Sequence, residues 1–320
     1  MRKEDMRIVF MGTPEFAVES LKVLVEHHYH VVAVITAPDK PAGRGQSIQM
    51  SAVKKYALAN ELPLLQPEKL KNPAFIQTLS DLKPDLQIVV AFRMLPEIVW
   101  SLPRFGTFNL HASLLPDYRG AAPINWAIMN GETETGVTTF FLTHDIDAGE
   151  IILQKRIPIH ESDSAGILHD RLMHEGAELV LKTVELILNN YPVPTFPQVM
   201  PNAIKGAPKL FTDTCRIDWS QKVTKVYNFI RGLSPYPGAW TELYDAQSKR
   251  HSLKIYESAK EWQSHALPIG TIVTDHKKMM KIAVNDGFIH IKQLQLAGKK
   301  KLSIEDFLRG FVIEEAFHLK

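Results

Sequence analysis

The sequence predicts a doubly wound α/β domain followed by a small β-barrel. Three observations carry that expectation. The chain opens strand, helix, strand: an apolar run at residues 7–11, helically spaced apolar side chains over 15–25, and a second apolar run at 31–35. Further on, Pro192, Pro194, Pro197, Pro201 and Pro208 crowd a stretch with little periodicity, as a semi-rigid linker would. Beyond it, short strand-like runs recur with turns between them, the pattern of a small barrel. The expected boundaries are residues 1–189 for the α/β domain, 190–208 for the Pro-rich linker and 209–320 for the second domain. A chain of 320 residues is long for one domain, so two suit it.

In order, residues 36–49 combine Pro, Gly, Lys and Arg, and read as a loop that is long for a strand–helix connection. Residues 52–60 read as a helix, 63–66 as a short strand, 73–82 as a helix and 86–91 as a buried strand. The alternating stretch 107–113 is a strand that Pro116 stops, and Arg119-Gly120 turns the chain toward a helical pattern at 124–129. Residues 136–142 are a strand, 151–158 an outer hairpin strand, and 164–188 a long amphipathic helix. In the second domain a helix covers 223–232, with Ser220 able to cap it. Strands follow at 240–243, 253–256, 270–273, 281–283 and 287–294. A basic loop over 295–303 holds Lys299, Lys300 and Lys301, and a short helix at 304–310 closes the domain.

Composition narrows the class. Hydrophobic residues make up 45% and charged residues 22%, ordinary values for a globular protein. No window approaches 18 consecutive apolar residues, so no membrane span is expected. The start, Met1-Arg2-Lys3-Glu4-Asp5, lacks a signal peptide's apolar core and cleavage site. Cys215 is the only cysteine, which excludes an internal disulfide and a Cys-rich metal site. A cytoplasmic location is expected. The net charge of +2 is uneven. Residues 1–189 hold 18 Lys and Arg against 23 Asp and Glu, net −5, while 190–320 hold 19 against 12, net +7. A basic second domain suits a polyanion partner, although a merely soluble basic face would look the same. The opening unit lacks G-x-G-x-x-G, so dinucleotide binding has little support.

The stretch Asn109-Leu110-His111-Ala112-Ser113-Leu114-Leu115-Pro116 carries the chemistry. Alternation puts Thr107, Asn109, His111 and Ser113 on one face of their strand. Four buried polar side chains would each need a partner, so this face is expected to open into a cleft. An amide and an imidazole at i and i+2 can both donate to an oxygen as it becomes negative, which suits acyl transfer. The imidazole can also move a proton near neutral pH. A satisfied buried Asn–His pair is the alternative. The loop Thr143-His144-Asp145-Ile146-Asp147-Ala148-Gly149-Glu150 offers two carboxylates, and His144-Asp145 could pair locally. Gly149 would let the loop bend tightly.

This stretch resembles the N-x-H-x-S-L-L-P signature of the folate-dependent formyltransferases. That group includes glycinamide ribonucleotide, methionyl-tRNA and sugar formyltransferases. Their third catalytic residue is an Asp in a D-x-G context, which Asp147-Ala148-Gly149 matches. The resemblance implies Asn109, His111 and Asp147 as catalytic residues and Ser113, Leu114, Leu115 and Pro116 along the folate. Phe92, Arg93 and Met94 would supply a further wall, where the family has a Tyr-Gly-Leu-type sequence. Residues 38–45 are similar to the P-D-[KR]-P-A-G-R-G loop of methionyl-tRNA formyltransferases, which implies Arg44 as a tRNA-recognition residue. In the second domain, R-I-D-W-S, P-Y-P-G-A-W, L-Q-L-A-G-K-K and D-F-L-R-G resemble that group's OB-like, tRNA-contacting domain. Together these imply a Rossmann-like catalytic domain and an OB-like barrel, with Lys299, Lys300 and Lys301 facing tRNA. They imply 10-formyltetrahydrofolate as formyl donor, initiator methionyl-tRNA as acceptor, no metal, and a monomer.

Overall fold

The computed structural model describes residues 2–42, 47–199, 203–245, 247–314 and 317–319. The chain divides into two compact units. The first takes residues 1–120, 135–158 and 169–206, and the second takes 121–134, 159–168 and 207–320. Segments 121–134 and 159–168 thus pack with the second unit although they lie far upstream of it in sequence.

The first unit begins with β1 (Arg7–Gly12), α1 (Phe16–Glu26) and β2 (His30–Ile35). The predicted loop that follows contains a small hairpin, β3 (Lys40–Ala42) and β4 (Ser47–Gln49). Then come α2 (Ala52–Ala59), β5 (Leu64–Leu65), α3 (Pro73–Asp81), β6 (Leu86–Val90), α4 (Glu97–Trp100), β7 (Thr107–His111) and the short β8 (Arg119–Gly120). After α5 (Pro123–Met129), which belongs to the second unit, β9 (Glu134–Phe141), β10 (Ile151–Pro158) and α6 (Ala165–Asn189) follow. A single sheet runs β10-β9-β7-β6-β1-β2-β5. The pairs from β7 through β5 are parallel, and β9 is antiparallel to β7. All five residues of β6 are buried, as a central parallel strand requires. Strand order reverses between β1 and β6, and in open α/β sheets such a switch, beyond the strands' C-terminal ends, is the usual place for a ligand crevice.

One sheet face is sealed by α3 and α4 through Val9, Met11, Val89, Phe75, Leu79 and Val99. On β7 itself, Gly176 of α6 lies so close that a Cβ there would fall 2.7 Å from Leu110 Cδ2. The absence of that side chain lets the helix settle onto the strand. Among the described residues no helix is long and apolar enough to cross a membrane.

The second unit starts with α5 and resumes at β11 (Gly206–Ala207) and a 3₁₀ turn (Asp213–Cys215), followed by α7 (Val223–Gly232). Its strands are β12 (Ala239–Tyr244), β13 (Arg250–Glu261), β14 (Ile272–Thr274), β15 (Met280–Val284), β16 (Gly287–Leu296), β17 (Lys301–Ser303) and β18 (His318–Leu319), with α8 (Ile304–Gly310) between the last two. They form an antiparallel sheet ordered β14-β15-β16-β13-β12-β18, with β17 on β16. A bridge between Thr271 and His318 brings its ends together as a nearly closed barrel around Ile255, Ile282, Ile289 and Leu294. The predicted basic loop is therefore partly a strand, since β17 pairs Lys301 with Gln295.

Asn125 Nδ2 donates to Gly232 O at 2.8 Å, and Arg231 Nη1 donates to the carbonyls of His160 and Asp163 at 3.2 and 2.8 Å. These bonds fasten α5 and residues 159–168 to α7. Ser220 does not cap α7. Its hydroxyl donates to Asp218 Oδ1 at 2.6 Å, and Asp286 Oδ1 accepts the Val223 N–H at 2.7 Å. Asp286→Ala is expected to cost about 1 kcal/mol of stability by removing that acceptor. A urea-unfolding midpoint equal to that of the parent protein would contradict the assignment.

Candidate active site

β7 lies between β6 and β9, with Asn109 opposite Val89 on one side and Phe140 on the other, and His111 opposite Thr138. The predicted open face is only partly open. Thr107 and Ser113 are buried, and each finds a partner instead of a cleft. Thr107 Oγ1 donates to Trp100 O at 2.6 Å, and Ser113 Oγ donates to Asp117 O at 2.7 Å. Those bonds remove the desolvation cost that pointed to exposure. Asn109 alone of the four keeps a half-buried position.

His111 is held from below. Its Nε2 lies 2.8 Å from Tyr118 O, and a carbonyl only accepts, so Nε2 carries the hydrogen. Nδ1 faces Asp147 Oδ2 across 3.9 Å, with the two side chains 8% and 12% exposed. That gap is too long for a direct hydrogen bond. Asp147 Oδ2 accepts the Gly120 N–H at 3.0 Å, which fixes the carboxylate beside the ring. The competing carboxylate, Asp145, is exposed, and His144 turns to Glu97 at 3.3 Å. Asn109 Oδ1 is buried without a hydrogen-bond partner. An unpaired buried amide oxygen costs about 1–3 kcal/mol, so this end of the side chain is primed for a donor, or, after a flip of the amide, for an acceptor.

The loop carrying Asp147 bends through close approach at Gly149, where a Cβ would lie 1.7 Å from Phe141 O. Three non-glycine residues near the site adopt left-handed backbone: Ala91 at φ 47°, Tyr118 at 61° and Asp147 at 51°. Each costs on the order of 1 kcal/mol, and such strain gathers at functional sites.

The remaining sequence candidates are distributed as follows. Ser113 and Leu115 turn inward, where Thr138 Oγ1 donates to Ser113 O at 2.6 Å and Gln154 Nε2 donates to Leu115 O at 3.1 Å. Leu114 and Pro116 stay half-buried at the surface of that turn. Phe92 and Arg93 follow β6 and, with Ala91, wall a cavity of about 680 Å³. Its other lining includes Thr13 and Pro14 after β1, and Ala37 to Lys40 after β2. Because Val90 pairs with Leu110, this wall and the Asn109–His111 pair leave adjacent strands. The Arg93 guanidinium donates from Nη1 and Nη2 to the carbonyls of Glu68 and Pro67, its buried Nε has no partner, and burial pulls its pKa down. Met94 is 73% exposed. Among the described residues no His, Cys, Asp and Glu side chains gather as a metal site.

Arg44 lies outside the described residues, but the base of its hairpin is well tied. Asp39 accepts from Lys54 Nζ at 2.5 Å and from Gln66 Nε2 at 3.1 Å. In the second unit Lys299 and Lys300 are exposed, while Lys301 Nζ sits 4.4 Å over the Tyr256 ring. Strand register extends this into a row that motif reading missed: Arg216, Trp240, Lys254, Gln295 and Lys301 are successive neighbours across the sheet. Arg216 also lies 5.4 Å over the Trp240 ring. Alternation of polar with buried positions on β13 was the signal that could have found it.

Lys54 first, then Gln66, holds the Asp39 carboxyl below its ordinary pKa of 3.8. A depressed carboxylate stabilises the fold above that ordinary value, and the contribution is lost as pH falls through the lower folded one. An NMR titration is expected to place the Asp39 midpoint below 3.8, and Lys54→Met should move it up. A wild-type midpoint at or above 3.8 would contradict the tie.

Residues 6–184 match the formyl transferase family and residues 209–312 match the formyl transferase C-terminal domain. The methionyl-tRNA formyltransferase of Bacteroides thetaiotaomicron is 59% identical over 321 residues, with all of both chains covered. That of Parabacteroides distasonis is 59% identical over 97% of each. Among solved structures, the N-formyltransferase of Helicobacter canadensis, in complex with folinic acid and dTDP-3-aminofucose, superimposes with a TM-score of 0.64. It is 22% identical and is covered completely by 93% of this chain, a likeness of fold. On this full-length identity, the chain belongs to the formyl transferase family, within the methionyl-tRNA formyltransferases.

Proposed function

We propose that this enzyme moves the formyl group of 10-formyltetrahydrofolate to the α-amine of methionyl initiator tRNA, giving N-formylmethionyl-tRNA for translation initiation. The observation that carries the reading is the juxtaposition of Asn109, His111 and Asp147 in a chain about 60% identical to methionyl-tRNA formyltransferases end to end. The folate supplies an activated formyl carbon. Charge develops on the formyl oxygen as the amine attacks, and N–H donors aimed at that oxygen stabilise it. Asn109 supplies one donor from its side-chain Nδ2. His111, as the imidazolium, supplies the other from Nδ1–H, because its Nε2–H is committed to Tyr118. Asp147 orients the ring and takes part in moving the proton that the amine sheds toward the folate N10, whose bond to the formyl carbon breaks to release tetrahydrofolate.

Leu114, Pro116, Phe92 and Arg93 border the folate in this reading, with Ser113 and Leu115 shaping the turn from within. Arg44, Lys299, Lys300 and Lys301 contact tRNA, joined by the row from Arg216 to Lys301. Basic side chains interleaved with Trp240 and Tyr256 suit a phosphate backbone and exposed bases. The enzyme works as a monomer in the cytoplasm.

With charged initiator tRNA as acceptor, His111→Ala and Asp147→Asn are expected to lose turnover by about 100- to 1000-fold while still binding folate. Near-parental turnover in either variant would remove that residue from the mechanism. Arg44→Ala and the joint neutralisation of Lys299, Lys300 and Lys301 are expected to raise KM for tRNA and leave folate affinity alone. The triple variant should also flatten the rise of that KM with salt, because each phosphate contact adds about 0.9 to the slope on duplex nucleic acid. An unchanged salt slope would leave those lysines without a tRNA role.

A further inference from the structure

We propose that Gln198 is a positioning residue that sets the backbone of Asp147, reaching it from the Pro-rich stretch between the α/β and barrel sequences. The inference rests on the reading of Asp147 given above. Gln198 lies 51 residues beyond Asp147, in a segment whose sequence suggests only a linker. Its side-chain amide is fully used. Nε2 donates one hydrogen to Asp147 O at 2.9 Å and the other to Gly149 O at 2.8 Å. Oε1 accepts from Arg119 Nε at 3.1 Å and also from Arg119 Nη2. A guanidinium has no acceptor, so the amide oxygen must face Arg119 and the two hydrogens must face the loop.

The segment is laid against the loop by its backbone as well. Phe196 and Ile151 exchange both main-chain bonds, at 2.8 and 2.9 Å, and Thr195 Oγ1 donates to the Glu150 carboxylate. The loop needs this support. Asp147 sits at φ 51°, an unfavourable conformation for a residue with a Cβ, and Gly149 is pressed onto Phe141 O. Clamping the carbonyls on either side of Ala148 holds that conformation. Arg119 joins the clamp to the residue beside it, Gly120, whose N–H binds Asp147 Oδ2 at 3.0 Å. Gln198 and Arg119 therefore restrain Asp147 at its main chain and its carboxylate together, and with it the position of the carboxylate facing His111.

The test is a double-mutant cycle read by single-turnover formyl transfer to methionyl initiator tRNA in excess full-length enzyme. Gln198→Glu keeps an acceptor for Arg119 but has no hydrogens for the two carbonyls. Gln198→Ala removes both ties. Each is expected to slow transfer by between about 10- and 100-fold, the effect of misplacing a catalytic group by about 1 Å, with KM for both substrates little changed. In the Asp147→Asn background the same substitutions are expected to change the rate by less than about 2-fold, because they act through Asp147. Equal losses in both backgrounds, or recovery of the parental rate with Gln198→Glu, would show a merely structural tie and overturn the proposal. If Gln198→Ala fails to fold, Gln198→Glu carries the cycle alone. Asp147→Asn turning over at the parental rate would overturn the role of Asp147 and this proposal with it, whereas a slow Asp147→Asn with additive losses would overturn this proposal only.

Discussion

The site depends on how an amide and an imidazole are kept polar and oriented inside a sheet that is otherwise apolar. Tyr118 O fixes the His111 ring through Nε2, and that single 2.8 Å bond decides which nitrogen faces Asp147. Around it the polar residues of β7 are treated unequally. Thr107 and Ser113 are satisfied internally, while Asn109 Oδ1 is left without a partner. An unpaired buried amide is destabilising, which sets Asn109 apart from its satisfied neighbours on the strand. The Asn109 amide and His111 Nδ1 form the edge of the strand that the proposed reaction uses.

The second requirement is a carboxylate brought from 36 residues away and held in a strained loop. β9 and β10 deliver the loop, and the segment around Gln198 clamps it. Strain at Tyr118 and Asp147 is tolerated because hydrogen bonds with Lys205, His111 and Gln198 hold the backbone there. The cavity beside β1 and β6 lies at the reversal of strand order, so it and the Asn109–His111 pair leave the sheet along neighbouring strands.

Much of this was legible in the sequence. The opening strand–helix–strand pattern gave the parallel sheet, and i, i+2 spacing put Asn109 and His111 on one face. Local patterns also placed α6, α7 and most barrel strands. What stayed hidden was tertiary. Ser220 looked like a cap for α7, but Asp286, 63 residues on, performs that task. A row of polar residues on β7 suggested a cleft because hydroxyl partners such as Trp100 O and Asp117 O carry no sequence signature. Gln198 was invisible for the same reason: an aperiodic Pro-rich stretch looks like a spacer until its side chain is seen to bind. The packing of 121–134 and 159–168 with the barrel unit includes bonds from Asn125 to Gly232 and from Arg231 to His160 and Asp163 that no periodicity encodes.

The two units divide the work that the family membership implies. The α/β unit offers chemistry that any formyl acceptor amine could use. In the proposed function, the choice of acceptor rests on Arg44 and on the basic, aromatic row of the barrel unit, features suited to a nucleic acid. The most direct measurement is a competition in one tube: 10-formyltetrahydrofolate with equal concentrations of methionyl initiator tRNA and a dTDP-linked aminosugar, followed by product analysis. The account predicts formyl on the methionyl-tRNA alone. Formylated aminosugar, with the charged tRNA unmodified, would contradict it.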